Sequence, residues 1–212
     1  TFAVSQTPTS DPTGEVAGFC DATGNFLPLV CTLNASRILD SANQILQTDY
    51  QELGKLALAA QPGSQGLVLL PYFEGERTPN RPNATGVLSG MTLNNTNRTN
   101  IARAMIEGML CGMADAIDSL VRNGVAINRV LLIGGAAKSE AVARIASQVF
   151  CREGLVPEPG EYVANGAAKQ AAWITTGEFP KWELGEIKKF NETPSPQVLE
   201  KYRTLRDQTE NW

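Results

Sequence analysis

The chain has 212 residues, 42% hydrophobic and 19% charged, which suffices for one substantial domain or one and a half small ones. A net charge of -4 and a pI near 5.0 argue against a nucleic-acid or anionic-membrane surface, and no apolar run approaches membrane-spanning length. Histidine is absent, which removes Ser-His-Asp and Cys-His nucleophilic sites and histidine-bound metals; catalysis is left to carboxylates, lysine or a metal held by oxygen ligands.

Thr1–Ser5 reads as a strand already under way at the first residue, as if the chain were cut within a strand. Gln6–Gly14 is a polar loop, and Glu15–Asp21 and Asn25–Leu33 are strand candidates joined by a turn at Thr23-Gly24. Asn34–Gln47 is expected to be helical with Asn34 as its N-cap, and Leu53–Ala60 a second helix closed by Gln61-Pro62-Gly63. Leu67–Leu70 is a buried-type strand. The irregular run Pro71–Gly86 follows, long enough to be functional yet equally readable as a solvated connector.

A long helix is expected from Asn97 or Thr99 to Asn123. Met105, Met109 and Met113 lie on its apolar stripe, and Ala104, Gly108 and Gly112 form a small-residue stripe where another element can pack closely. Asn123-Gly124 closes it as a left-handed cap. Gly154–Pro157 is a short strand and Glu161–Thr176 a helix capped by Gly177. The charged remainder ends in a helix over Ser195–Gln208. The cysteines, Cys20, Cys31, Cys111 and Cys151, form no C-x-x-C pair and read as buried free thiols in a reducing compartment.

The stretch Arg129–Phe150 organises the rest. Val130–Ile133 is an unbroken apolar run suited to a parallel strand covered on both faces. Gly134-Gly135 breaks it, and Val142, Ile145, Ala146, Val149 and Phe150 then follow helical spacing, with Ser139 as N-cap. A strand–glycine turn–helix unit lets a flat ligand or a phosphate approach the backbone, and the helix start offers free N–H groups. A tight βα turn with no ligand explains the same residues. Neither G-x-G-x-x-G nor a Walker loop is present.

Three ordered motifs carry a resemblance. Gly86-Val87-Leu88-Ser89-Gly90-Met91, followed after eight residues by Asn100–Glu107, resembles the second signature of the FGGY carbohydrate kinases. The upstream loop, with Gly75-Glu76-Arg77-Thr78-Pro79, resembles the xylulokinase branch of that family. Gly134–Ser139 is similar to the family's adenosine motif, and Glu161–Ala168 to its closing E-x-x-A-x-G-A-A helix.

The resemblance implies an α/β, ribonuclease-H-like (actin-like ATPase) fold forming the C-terminal half of a two-domain sugar kinase, here missing its first strand. Residues 1–182 would be the nucleotide-binding domain and 183–212 a C-terminal helical tail. It implies ATP and Mg2+ as cofactors, a cytoplasmic enzyme, and transfer of phosphate to D-xylulose; another sugar of the family (gluconate, ribulose, glycerol) and a non-catalytic nucleotide-binding module stay open. Gly134, Gly135, Lys138 and Ser139 would border the adenosine and α-phosphate, with Ser36 and Asp40 on the facing wall. The partners implied are the sugar, held mainly by the N-terminal domain, and the N-terminal half itself; a homodimer is compatible. The family's catalytic aspartate lies in that N-terminal half, so the resemblance assigns no catalytic residue to this chain. Asp21, Asp115 and Asp118 read as turn or exposed helix residues.

Overall fold

The computed structural model describes residues 1–183, 185–210 and 212. Its centre is α3 (Arg98–Arg122), most of whose residues are buried because apolar and small side chains occupy nearly its whole circumference. Asn97 caps it by accepting from the Asn100 amide, and Gly124, at φ +82°, closes it. The small-residue stripe performs the expected work. A Cβ at Gly108 would stand 2.6 Å from the Leu69 carbonyl of β3 (Val68–Leu70), and one at Gly112 would stand 3.6 Å from the Tyr202 hydroxyl of α6 (Pro196–Gln208).

Around α3 lie α1 (Arg37–Leu46), α2 (Tyr50–Ala59) and α4 (Glu140–Phe150), each turning an apolar face inward. The start of α1 differs from expectation. Ser36, not Asn34, is its N-cap, and Asn34 is buried, donating to the Gly75 carbonyl (2.6 Å) and to Glu76 (3.0 Å). A contact 41 positions along the chain outcompetes the local cap because a buried amide must satisfy its donors.

Three small sheets surround this centre. The hairpin β1 (Val16–Cys20) and β2 (Phe26–Val30) is closed by the Asp21 carboxylate, which accepts from the Thr23 and Asn25 amides, and Thr1–Ser5 runs antiparallel along the other edge of β2. Val16 and Val30 seat the hairpin on Ala116, Leu120 and Val125 at the end of α3. β3 pairs antiparallel with β4 (Val87–Ser89). β5 (Val130–Leu131) pairs parallel with β6 (Gly154–Pro157), and β6 antiparallel with β7 (Ile187–Phe190). Ladder bonding on β5 ends with the Leu132 amide on Leu155, so Ile133 stands 46% exposed.

Residues beyond Trp182 thus contribute a strand as well as the expected helix, and Val198, Tyr202 and Leu205 of α6 enter the main core. By contrast α5 (Tyr162–Thr176) has no buried residue. Two further expectations are corrected. Cys111 alone among the cysteines is buried; Cys20 and Cys151 are exposed, one at the outer end of a hairpin strand and one in the left-handed residue ending α4. Asp115 is a buried helix residue paired with Arg203 (2.8 Å) and Arg206, because α6 covers that face of α3.

Candidate nucleotide site

The carboxyl ends of parallel strands are where α/β sheets open a crevice, since each chain must turn away into its following helix. Here β5 and β6 end side by side, and a cleft of about 270 Å³ opens beyond them. Gly134, Gly135 and Lys138 form one wall, and Pro157, Gly160 and Tyr162 belong to the other. The first wall is backbone. Gly134 has φ +92°, a region costly for a residue bearing Cβ, and residues Gly135–Lys138 form one 3-10 turn. A Cβ built at either glycine meets no atom within 4 Å, so the peptide face is open to a ligand.

Ser139 ends this turn as the N-cap of α4, its Oγ accepting from the Val142 amide. It lies outside the cleft lining and packs instead beside α2, where a Cβ at Gly54 would stand 3.7 Å from its Oγ. Ser36 and Asp40 are exposed at the start of α1 and also lie outside the lining. Asp40 accepts a hydrogen bond from the Tyr50 hydroxyl, and Tyr50 stands one turn before Gly54 on α2. Gly134, Gly135 and Lys138 are therefore brought together, Ser139 supports them from behind, and α2 intervenes between Ser139 and Asp40.

The sequence motifs do not include Glu158–Gly160, and they place Tyr162 in the closing helix rather than at the cleft. Pro157, Pro159, Gly160 and Tyr162 line the cleft, and the Tyr162 hydroxyl donates back to the Glu158 carbonyl. The Pro-Glu-Pro-Gly run between a strand and a helix was the available signal. Glu161 also lines the cleft. Among the described residues no group of three or more acidic, cysteine or histidine side chains could hold a metal ion. The described residues thus offer a glycine turn whose backbone is open to a ligand, but no set of three donors for Mg2+.

The polar residues of the Asn100–Glu107 motif face inward. Asn100 donates to the Asn95 carbonyl (3.0 Å) and to Gln65 (3.2 Å), while Glu107 accepts from Arg103 (2.7 Å), the Gly63 amide (2.9 Å) and Ser64 (3.2 Å). These bonds hold a turn in which Ser64 and Gln65 both adopt positive φ. The loop after β3 is fastened as well. Glu76 is 3% exposed and accepts from the Leu33 amide, Asn34 and the Arg77 amide.

Residues 3–175 match the model of the C-terminal domain of the FGGY family of carbohydrate kinases. The chain belongs to that family. It is 38% identical over 188 residues to the xylulose kinase of Streptomyces rubiginosus, covering 86% of this chain and 37% of that protein. It is 29% identical over 179 residues to the gluconokinase of Bacillus subtilis, covering 81% of this chain and 34% of that one. The crystal structure of xylulose kinase from Bifidobacterium adolescentis matches with a TM-score of 0.87 at 50% identity, over 97% of this chain and 41% of that one. The chain therefore spans about two-fifths of its relatives' length, as the FGGY C-terminal domain with its actin-like fold. No described helix is long and apolar enough to cross a membrane.

Proposed function

We propose that this FGGY domain is the nucleotide-holding half of a cytoplasmic, ATP-dependent kinase that converts D-xylulose to D-xylulose 5-phosphate. The observation that carries this reading is the open glycine turn at the ends of β5 and β6, where nothing occupies the space that a Cβ would fill. Gly134 and Gly135 would let adenosine and the α-phosphate lie against the backbone, with Lys138 at the rim and Ser139 fixing the turn. Ser36 and Asp40, outside this cleft and on the far side of α2 from Ser139, would form a further wall of the nucleotide site.

Phosphoryl transfer depends on positioning and charge neutralisation, with a carboxylate to take the hydroxyl proton. This chain's contribution is to hold the nucleotide and shield one side of it from water, while Mg2+ would travel with the ATP phosphates. The N-terminal half would bring the sugar and the proton-accepting aspartate, so domain closure would complete the site. The chain alone is expected to be inactive.

Kinase assays with the N-terminal half restored test this reading, using ATP with D-xylulose, gluconate, ribulose and glycerol. Preferred turnover of D-xylulose is expected, with none by residues 1–212 alone. Preference for gluconate would reassign the substrate, and turnover by the chain alone would overturn the division of labour.

A further inference from the structure

The loop joining β3 to β4 is held at both ends of a short internal bridge. Glu76 and Arg81 exchange two backbone hydrogen bonds, each 2.9 Å long. On one side the Glu76 carboxylate holds the Leu33 amide (2.7 Å) and Asn34, the residues leading into α1. The Arg37–Glu74 ion pair joins the same two segments at the surface. On the other side the Arg81 guanidinium donates to the carbonyl of Arg206 (2.7 Å), reaches Thr209 at 3.5 Å, and lies 5.9 Å from the centre of the Tyr72 ring.

The acceptor carbonyl is itself fixed. Arg206 and Arg203 of α6 both bind the Asp115 carboxylate on α3, and Arg203 also pairs with Asp118. Tyr72 and Tyr202 fill the space beneath with side chains 1% exposed. A continuous set of hydrogen bonds thus runs from the core helix α3 through α6, Arg81 and Glu76 to Leu33 and Asn34, just before α1. Charge-assisted bonds of this kind are short and directional, so they fix geometry as well as adding stability.

We infer that Arg81 is a positioning residue, clamped by α6, that sets the start of α1 and with it the Ser36–Asp40 side of the nucleotide site. The inference rests on the proposed nucleotide role of that wall. Arg81 does not line the glycine cleft; it acts through Glu76 and Asn34. The C-terminal helix is accordingly part of the nucleotide-binding apparatus.

The test uses the complete kinase, N-terminal half included, with steady-state kinetics well below each variant's melting temperature. Arg81→Ala is expected to raise the KM for ATP about fivefold or more while kcat stays within about twofold, the pattern of lost binding rather than lost chemistry. Arg81→Lys, which retains a donor for the Arg206 carbonyl, should recover most of that affinity. Glu76→Gln keeps one acceptor for the Leu33 amide but sets an NH2 against the Asn34 NH2, so it weakens the same connection at its far end, should reproduce part of the KM effect, and replaces Arg81→Ala if that variant does not fold. A folded Arg81→Ala or Glu76→Gln enzyme with an unchanged ATP KM overturns the inference, as does an Arg81→Lys enzyme as impaired as Arg81→Ala. Asp40→Ala is measured in parallel. If it raises the ATP KM while Arg81→Ala does not, only the positioning role fails; if neither does, the nucleotide role of the Ser36–Asp40 wall fails with it.

Discussion

The Arg103 guanidinium and the Glu107 carboxylate meet at 2.7 Å, one helical turn apart, with side chains only 3% and 4% exposed. A buried pair is hard to justify by attraction alone, because desolvating both charges offsets most of the gain. Here the remaining valences are also used: Glu107 accepts from Gly63 and Ser64, and Arg103 donates to Gln148 of α4. The pair therefore ties the turn after α2 to α3 and α4.

Removing one partner leaves the other charge buried and strands the Gly63 amide. Glu107→Ala should destabilise the intact protein by about 3–5 kcal/mol, with Glu107→Gln intermediate. Urea unfolding measures this, and a loss below about 1 kcal/mol would show that the turn is held by something else.

The two glycines of the cleft should behave differently. Gly134 combines φ +92° with ψ -173°, a region essentially confined to glycine, so Gly134→Ala is expected to cost about 1–3 kcal/mol through backbone strain. Gly135 has no such φ and its Cβ space is open, so Gly135→Val should melt near the parent temperature. It should nevertheless weaken ATP or ADP binding about tenfold or more, since the branched side chain would occupy nucleotide space. Calorimetric titration of the complete kinase alongside a thermal melt separates the two effects. Unchanged affinity in the folded variant would remove the turn from the site.

Legibility in the sequence followed how local each determinant was. The β5–turn–α4 unit could be read because an apolar run, two glycines and Ser139 act within a few residues of one another. The Gly108 stripe could be read because a missing side chain on a buried helix demands a close neighbour. Asn34 could not, since its partners lie beyond position 70 and outcompete a local cap. Strand β7, Ile187-Lys188-Lys189-Phe190, has too little pattern of its own and exists through its pairing with β6. At the site, motif spacing led to Gly134, Gly135 and Lys138, whereas Tyr162 reaches the cleft only because β6 ends beside β5.

Alkaline pH should loosen the packing of α6. Burial pushes the Tyr72 phenol from 10.0 up to about 12 and raises Tyr202 well above its ordinary value, and neither hydroxyl makes a hydrogen bond of good geometry among the described residues. Folding raises both values, so their contribution is complete below pH 10, and the Tyr72 part of it is lost as pH climbs through about 12. Stability should fall above pH 10 with a slope near 1.4 kcal/mol per pH unit for each tyrosine still protonated in the fold. Tyr72→Phe should flatten that slope in denaturation series from pH 8 to 11, about one proton's worth. An identical slope in the variant would assign the alkaline loss to other groups.

The last expectation concerns two unpaired edges. β5 is bonded only to β6, and Thr1–Ser5 only to β2, so among the described residues each presents a free row of backbone donors and acceptors. Apolar side chains accompany these edges: Phe2 is 57% exposed and Val4 63%, beside β2, and Ile133 follows β5. Helix α5 adds Val163 and Ile174 at 86% and 85% exposure. In water such edges can be hydrated, so the direct energetic penalty is small. The hazard is association, because an open edge with apolar neighbours is a template for another strand. Residues 1–212 alone should therefore self-associate or unfold with low cooperativity, and the chain joined to the N-terminal half should be well behaved. Size-exclusion chromatography and thermal unfolding of both forms decide this. A monomeric, sharply cooperative transition for residues 1–212 alone would show that neither edge needs a partner strand.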